Sequence, residues 1–289
     1  MEPAVTPEED LSPLDLLRAE LEQQIKDGTL QLPLLPNVAQ EVLQLCSDDD
    51  TDASDLSDLI HRDQALASHM LRIANSPAYM ARTEITSLQQ AVARLGTAAI
   101  SEIALAISLR GEIFDVPGYQ KDITYIWRHS LGSALWGKTI GRELDKEAET
   151  AFLCGLLHHI GKPIVLHSMI KLSRAKEMEI KVADMRAMID FHHTGVGILV
   201  ADAWRLPAPV GAAIAHYYSY EDCEKYADLA MLTHCADLLA THLLDPGVMP
   251  EERVRASPVI TDLNISDDQL DELFARREEI NEWVESMVI

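Results

Sequence analysis

The residues of this 289-residue chain best suited to chemistry are imidazoles gathered in its second half. His129, the pairs His158-His159 and His192-His193, then His216 and His234 recur along it, and Asp237 follows His234 at a spacing of three residues. Neutral imidazole and carboxylate are the usual ligands of zinc, iron and manganese. Helices packed side by side can converge such groups on one pocket. A plainer reading stands beside this one: histidines near helix C-termini complement the helix dipole and cap carbonyls. Dispersed over five helices, these residues have no short-range spacing signal of their own. His234 and Asp237 share a helix face, either as a supporting pair for a site or as an ordinary i,i+3 pair. There is no Ser-His-Asp order and no glycine-rich phosphate loop, and GVG at 195–197 is too short to count as one.

The elements that must carry these residues read as helices throughout. Apolar residues make up 47% of the chain, enough for a real core and against global disorder. Aromatics are only 5% while Leu, Ala and Ile abound, which suits helices better than β-sandwiches. Leu14, Leu17, Leu21 and Ile25 fall at helical spacing and Gly28 ends the run. LPLLP at 32–36 is an extended connector, and Asn37 is the expected N-cap of a helix through Cys46. SDDDTDAS at 47–54 is a polar loop. Helices are expected at 54–61 and 63–75, with Asn75-Ser76-Pro77 stopping the second and the Asn side chain capping it. Ser87 caps a helix to Leu95, and Gly96-Thr97 separates it from another that runs to Leu109. Beyond Pro117-Gly118, helices are expected at 122–143, 147–159, 165–177, 180–190, 194–204, 208–218, 226–243 and 267–286. Alternating apolar-polar runs are absent, as is any repeat of fixed period. The fold class is therefore all-α.

Charge and cysteine usage narrow the partners. With 24 Lys and Arg against 47 Asp and Glu, the net charge of −23 repels phosphate backbones and anionic lipid, so neither nucleic acid nor a membrane surface is an expected partner. A local basic pocket could still hold a small phosphorylated ligand. Cys46, Cys154, Cys223 and Cys235 never form CxxC and read as reduced, mostly buried thiols. The start, MEPAVTPEEDLSP, is acidic and has no apolar stretch, so a signal peptide is not expected. No window of about 18 uninterrupted apolar residues calls for a transmembrane span. The expectation is a cytoplasmic protein.

Short motifs sharpen the histidine reading. GLLHHIGK (155–162) resembles the GLLHDIGK element of the HD superfamily of metal-dependent phosphohydrolases, and WRHS (127–130) resembles its upstream histidine. HHTGVGILVADAWRLP (192–207) is similar to a pattern of the HD-GYP and HDOD branches. In the first half, LPLLPNVAQEVLQL, DQALASHMLRIANSPAYM and ITSLQQAVARLGTAAISEIAL closely resemble the HDOD module, the HD-related output domain, so the likeness runs from about Leu32 to Asp237. The resemblance implies a multi-helix HD-like bundle with an N-terminal helical subdomain, and a bacterial signalling or output module that binds or relays rather than hydrolyses. Its ligand positions would be His129, His158, His159 in place of the paired aspartate, and Asp237, with His193 and His216 as the further histidines of the HD-GYP branch. Lys162 could meet an anion, or be an ordinary helix lysine.

Two departures weigh against hydrolysis. A neutral imidazole at His159 presents one lone pair and no negative charge, so it cannot bridge two cations as a carboxylate would; a two-metal clamp is disfavoured, while one divalent iron, manganese or zinc remains reasonable. At Tyr217 the HD-GYP branch has a second histidine followed by a GYP-bearing loop, and AHYYSYEDCEKY (215–226) has neither. The expected organisation is an acidic tail (1–13), an N-terminal helical part (14–118), an HD-like part (119–243) and a helical extension (244–289). The expected role is a non-catalytic signal-transduction module binding a signalling protein or a small ligand such as a nucleotide. The alternative is a metal-dependent phosphohydrolase or phosphodiesterase acting on a nucleotide, and a third reading is a redox or pH sensor built on the clustered imidazoles.

Overall fold

The computed structural model describes residues 12–46, 53–79 and 84–288, and every regular element among them is a helix. The calls made for the tail before residue 12 and for residues 47–52 of the polar loop lie outside the described residues.

Helix α1 (Pro13–Lys26) starts from a capping box in which Ser12 and Asp15 satisfy each other's backbone N–H groups. It buries Leu17 and Leu21. The extended connector follows, pinned where the Trp204 indole N–H donates to the Pro33 carbonyl at 2.9 Å. In α2 (Asn37–Cys46), Asn37 is the first helical residue rather than the cap, because the Pro36 carbonyl accepts the first bond, from Gln40 N–H. Asp63 separates α3 (Ala53–His61) from α4 (Gln64–Ala74) and accepts from the N–H groups of Ala65 and Leu66. Asn75 closes α4 as expected. Its amide donates to the carbonyls of Leu71 and Ile85, and its oxygen accepts from Ile85 N–H at 2.7 Å, tying two loop ends together. Ser87 caps α5 (Leu88–Glu112), which bends sharply at Gly96, whose φ of 85° is open to glycine at no steric cost. Among the described helices, α5 is the one long and apolar enough to cross a membrane. Here it packs against α2, α3 and α4 and buries Ile100, Ile103 and Ala104.

The second half is a tight bundle of α6 (Gln120–Glu143), α7 (Ala148–Leu157), α8 (Gly161–Ala175), α9 (Val182–Ala203), α10 (Ala208–His216) and α11 (Ala227–Leu244). Two helices were expected where α9 runs unbroken. Gly195 costs a helix only about 1 kcal/mol, and the buried face of Met185, Ile189, Val196 and Val200 outweighs it. Conversely, the helix expected at 267–286 is two, α14 (Asp267–Ala275) and α15 (Arg277–Val288), joined at Arg276. They follow the short α12 (Glu251–Arg255) and α13 (Pro258–Asp262), which carry too few residues for a periodic signal. The apolar face expected on this extension docks inward: Leu270, Leu273 and Ile280 are buried, and Trp283 packs 4.1 Å from Tyr79. Trp127, Trp136 and Trp204 are core residues as expected. One hydrophobic core runs from Leu17 to Met287, and a buried Lys138–Glu102 pair at 2.5 Å joins α6 to α5.

Two glycines set how closely the bundle closes around the turn between α7 and α8. A Cβ on Gly155 would stand 2.3 Å from the Ser133 carbonyl oxygen of α6, and one on Gly161 would stand 1.9 Å from the His193 carbonyl oxygen of α9. Both obstacles are backbone and cannot swing aside. Gly161→Ala should therefore destabilise the fold by about 1–3 kcal/mol or more, read as a lowered urea midpoint. An unchanged midpoint would mean that α8 and α9 do not approach this closely in solution.

Candidate metal centre

The turn between α7 and α8 presents His158 and His159 to the middle of the bundle, α6 brings His129 and α11 brings Asp237, and all four are buried. Asp237 Oδ1 lies 3.2 Å from His158 Nε2, 3.4 Å from His159 Nε2 and 3.7 Å from His129 Nε2. Tetrahedral donors about 2.1 Å from a metal stand about 3.4 Å apart, so these three spacings are those of a ligand set drawn around one ion. One ligand atom from each residue lies within 4.8 Å of all the others.

The other two ligand candidates are placed differently. His193, on α9, turns Nε2 to the Tyr217 hydroxyl at 2.8 Å, and that hydroxyl is also 3.2 Å from His159 Nε2. His216 ends α10 and is not part of the four-residue group. His234 is also outside it, its ring against Tyr218 and Tyr220. His192, expected to face solvent or cap, is instead 7% exposed, with Nε2 3.8 Å from Glu22 of α1. The docking of α1 over α9, invisible in the local sequence, covers it.

Fixed carbonyls decide the tautomers. His158 Nδ1 donates to Gly155 O at 2.7 Å, and His193 Nδ1 donates to Asp190 O at 2.9 Å and Ile189 O at 3.1 Å. A carbonyl only accepts, so the neutral form of each ring has its lone pair on Nε2. This is the support a metal-bound histidine ordinarily has. The His158 lone pair then faces the Asp237 carboxylate, an arrangement that is stable only with a positive charge between them, whether a second proton on His158 or a metal ion. His129 Nε2 contacts Thr241 Oγ1 at 3.0 Å, and Thr241 itself donates to the Asp237 carbonyl. His159 has no such support: its Nδ1 is buried without a hydrogen-bond partner among the described residues. The donor set and its spacing fit a single divalent ion.

Burial keeps the imidazoles neutral. It pushes His129 down to about 3, and His193 down to about 4 with Lys162 adding to the effect. His159 is driven well below its ordinary value by burial and by its histidine neighbours. Burial alone would raise Asp237, but the His158 hydrogen bond and the nearby His129 and Lys162 outweigh it and hold the carboxyl below its usual range. An ionised carboxylate ringed by uncharged imidazoles is an anionic hole.

Beside it lies a cavity of about 590 Å³ with Tyr125, Lys162, Arg186, Ile189 and Asp190 in its walls. Lys162 joins the two spaces, since it feels Asp237 and Asp190, whose carboxylate is 3.9 Å away. Tyr125 does the same from α6, its ring 6.4 Å from that of His129. Sequence reasoning did not single out Thr241, Ser133 or Tyr125. The readable signals were the i,i+4 pairs His129–Ser133 and Asp237–Thr241, each placing a hydroxyl one turn from a candidate ligand.

Comparison with known proteins agrees with this architecture. Residues 32–220 match the sequence model of the HDOD domain. The fold is similar to that of an HDOD domain protein with unknown function from Geobacter sulfurreducens, with a TM-score of 0.71 and 21% identity over 93% of this chain and 97% of that one. It is also similar to a protein of Shewanella amazonensis SB2B named a candidate metal-dependent phosphohydrolase, with a TM-score of 0.67 and 21% identity over 93% of this chain and all of that one. Over 248 residues the sequence is 23% identical to an uncharacterized protein of Treponema pallidum (strain Nichols), covering 81% of this chain. The chain spans 46% of that curated relative's length.

The depressed histidines give a pH signature. An unfolded chain takes up protons near pH 6.5 that the folded site refuses, so stability should fall as pH drops from about 6.5 toward 4, by about 1.4 kcal/mol per unit for each such imidazole. Asp237 adds its own loss only below its ordinary value of 3.8. Urea titrations of chelator-treated protein should show this slope, reduced in His129→Gln. A midpoint that is flat across this window would contradict the buried neutral cluster.

Proposed function

This chain belongs to the HDOD domain family, and from that premise we propose a non-catalytic signal-transduction module. It holds one divalent iron, manganese or zinc ion at His129, His158, His159 and Asp237, and takes a small anionic ligand in the adjoining cavity. The observation that carries the reading is the single carboxylate: Asp237 is the one anion in the ligand group. One divalent ion leaves the site with a net positive charge beside Lys162, which favours an incoming anion. Two such ions would leave three positive charges buried, with no bridging group to offset them.

When bound, the ion supplies Lewis-acid attraction for an oxyanion. The protein's own groups do the rest. Lys162, on the wall shared by the two spaces, meets the anion. Asp190, largely exposed, is free to release Lys162 when a stronger anion arrives. Tyr125 offers a flat face for a ring, and Arg186, held by Asp122 at 3.1 Å, lines the wall as a further cation. Ligand contact with α6 would bear on the Lys138–Glu102 pair and so on the N-terminal helices.

A second reading, phosphoester hydrolysis, is favoured by the same buried ligands standing beside a buried lysine. Metal analysis, inorganic phosphate binding and turnover of bis(p-nitrophenyl) phosphate with added manganese or iron separate the two. The expected results are about one ion per chain, lost in His158→Ala, phosphate affinity reduced roughly tenfold in Lys162→Met, about the worth of one charge-assisted contact, and no sustained turnover. Steady turnover abolished by His158→Ala would make the chain a hydrolase.

A further inference from the structure

We infer that Tyr217 limits the site to one metal ion, because its hydroxyl fills the place between His159 and His193 that a second cation would need. The inference rests on the single-ion reading and identifies the residue that enforces it.

The Tyr217 side chain is fully buried at the end of α10. Its ring lies edge-on to those of His158 and His159, at 5.0 and 5.8 Å, and Tyr218 packs against it at 4.0 Å. The phenol is therefore wedged and has no free space to swing into. Its oxygen is 2.8 Å from His193 Nε2 and 3.2 Å from His159 Nε2. The His193 ring is held by two backbone carbonyls with its Nε2 lone pair directed inward. That is the electronic state of a ligating imidazole, yet it accepts a phenol proton instead. An ion held by the same two nitrogens at about 2.1 Å would have to stand where the phenol oxygen stands. The hydroxyl thus satisfies an otherwise unpaired buried lone pair and excludes a cation from it. His193 is thereby diverted from metal ligation to the support of Tyr217, which accounts for its place outside the four-residue group.

The test is ion stoichiometry. The intact chain, Tyr217→His and His193→Ala are loaded with manganese, the ions are counted after gel filtration, and electron paramagnetic resonance reports whether two ions are close enough to couple. The intact chain should hold one uncoupled ion. Tyr217→His, which removes the wedge and adds a ligand, should hold two coupled ions. His193→Ala should keep one ion at saturating manganese. A folded Tyr217→His with a single ion, a coupled pair in the intact chain, or loss of the ion in His193→Ala would each overturn the inference while leaving a metal site in place. If Tyr217→His does not fold, the intact chain and His193→Ala decide. No ion in the intact chain would overturn the metal reading and this inference with it.

Discussion

A carboxylate buried among neutral imidazoles demands a positive charge, and that demand organises the second half of this protein. An unpaired charge inside a protein costs several kcal/mol. Asp237 meets that cost in one of two ways. The His158 ring, its far nitrogen held by the Gly155 carbonyl, can carry a second proton, or an ion can sit among the nitrogens. Burial opposes the first, since the neighbouring imidazoles are all driven toward neutrality. The cluster is thus poised to exchange protons for a metal, and its hydrogen bonds to fixed backbone groups mean that little reorganisation accompanies the exchange.

Close packing is what brings these groups together. His158 and His159 sit in a turn whose flanking glycines let α7 touch the backbone of α6 and α8 touch that of α9. α6 then serves three connections along its length: Arg128 pairs with Glu285 of α15, His129 faces the cluster, and Lys138 reaches Glu102 of α5. A disturbance at the pocket has a rigid element along which to reach both ends of the molecule.

Much of this was readable in the residues. The all-α class followed from composition and spacing, and the membership in the HDOD family from motifs in both halves. The ligands His129, His158, His159 and Asp237 were readable only through the resemblance, because they are dispersed over the chain and share no local period. Helix boundaries were less legible where tertiary packing decides them. Gly195 reads as a break, but the buried face of α9 carries the helix through it. Arg276 gives no local signal, yet the chain turns there. The burial of His192 depends on α1, distant in sequence. The role of Tyr217 is a matter of two distances that no spacing rule encodes.

The stretch recognised as the HDOD domain closes at residue 220, whereas Asp237 lies beyond it on α11. The unit defined by ancestry and the unit defined by electrostatics therefore have different edges. A fragment trimmed to the recognised stretch would keep three imidazoles and lose the anion they surround, so transplanting this module into another protein means carrying α11 along with it.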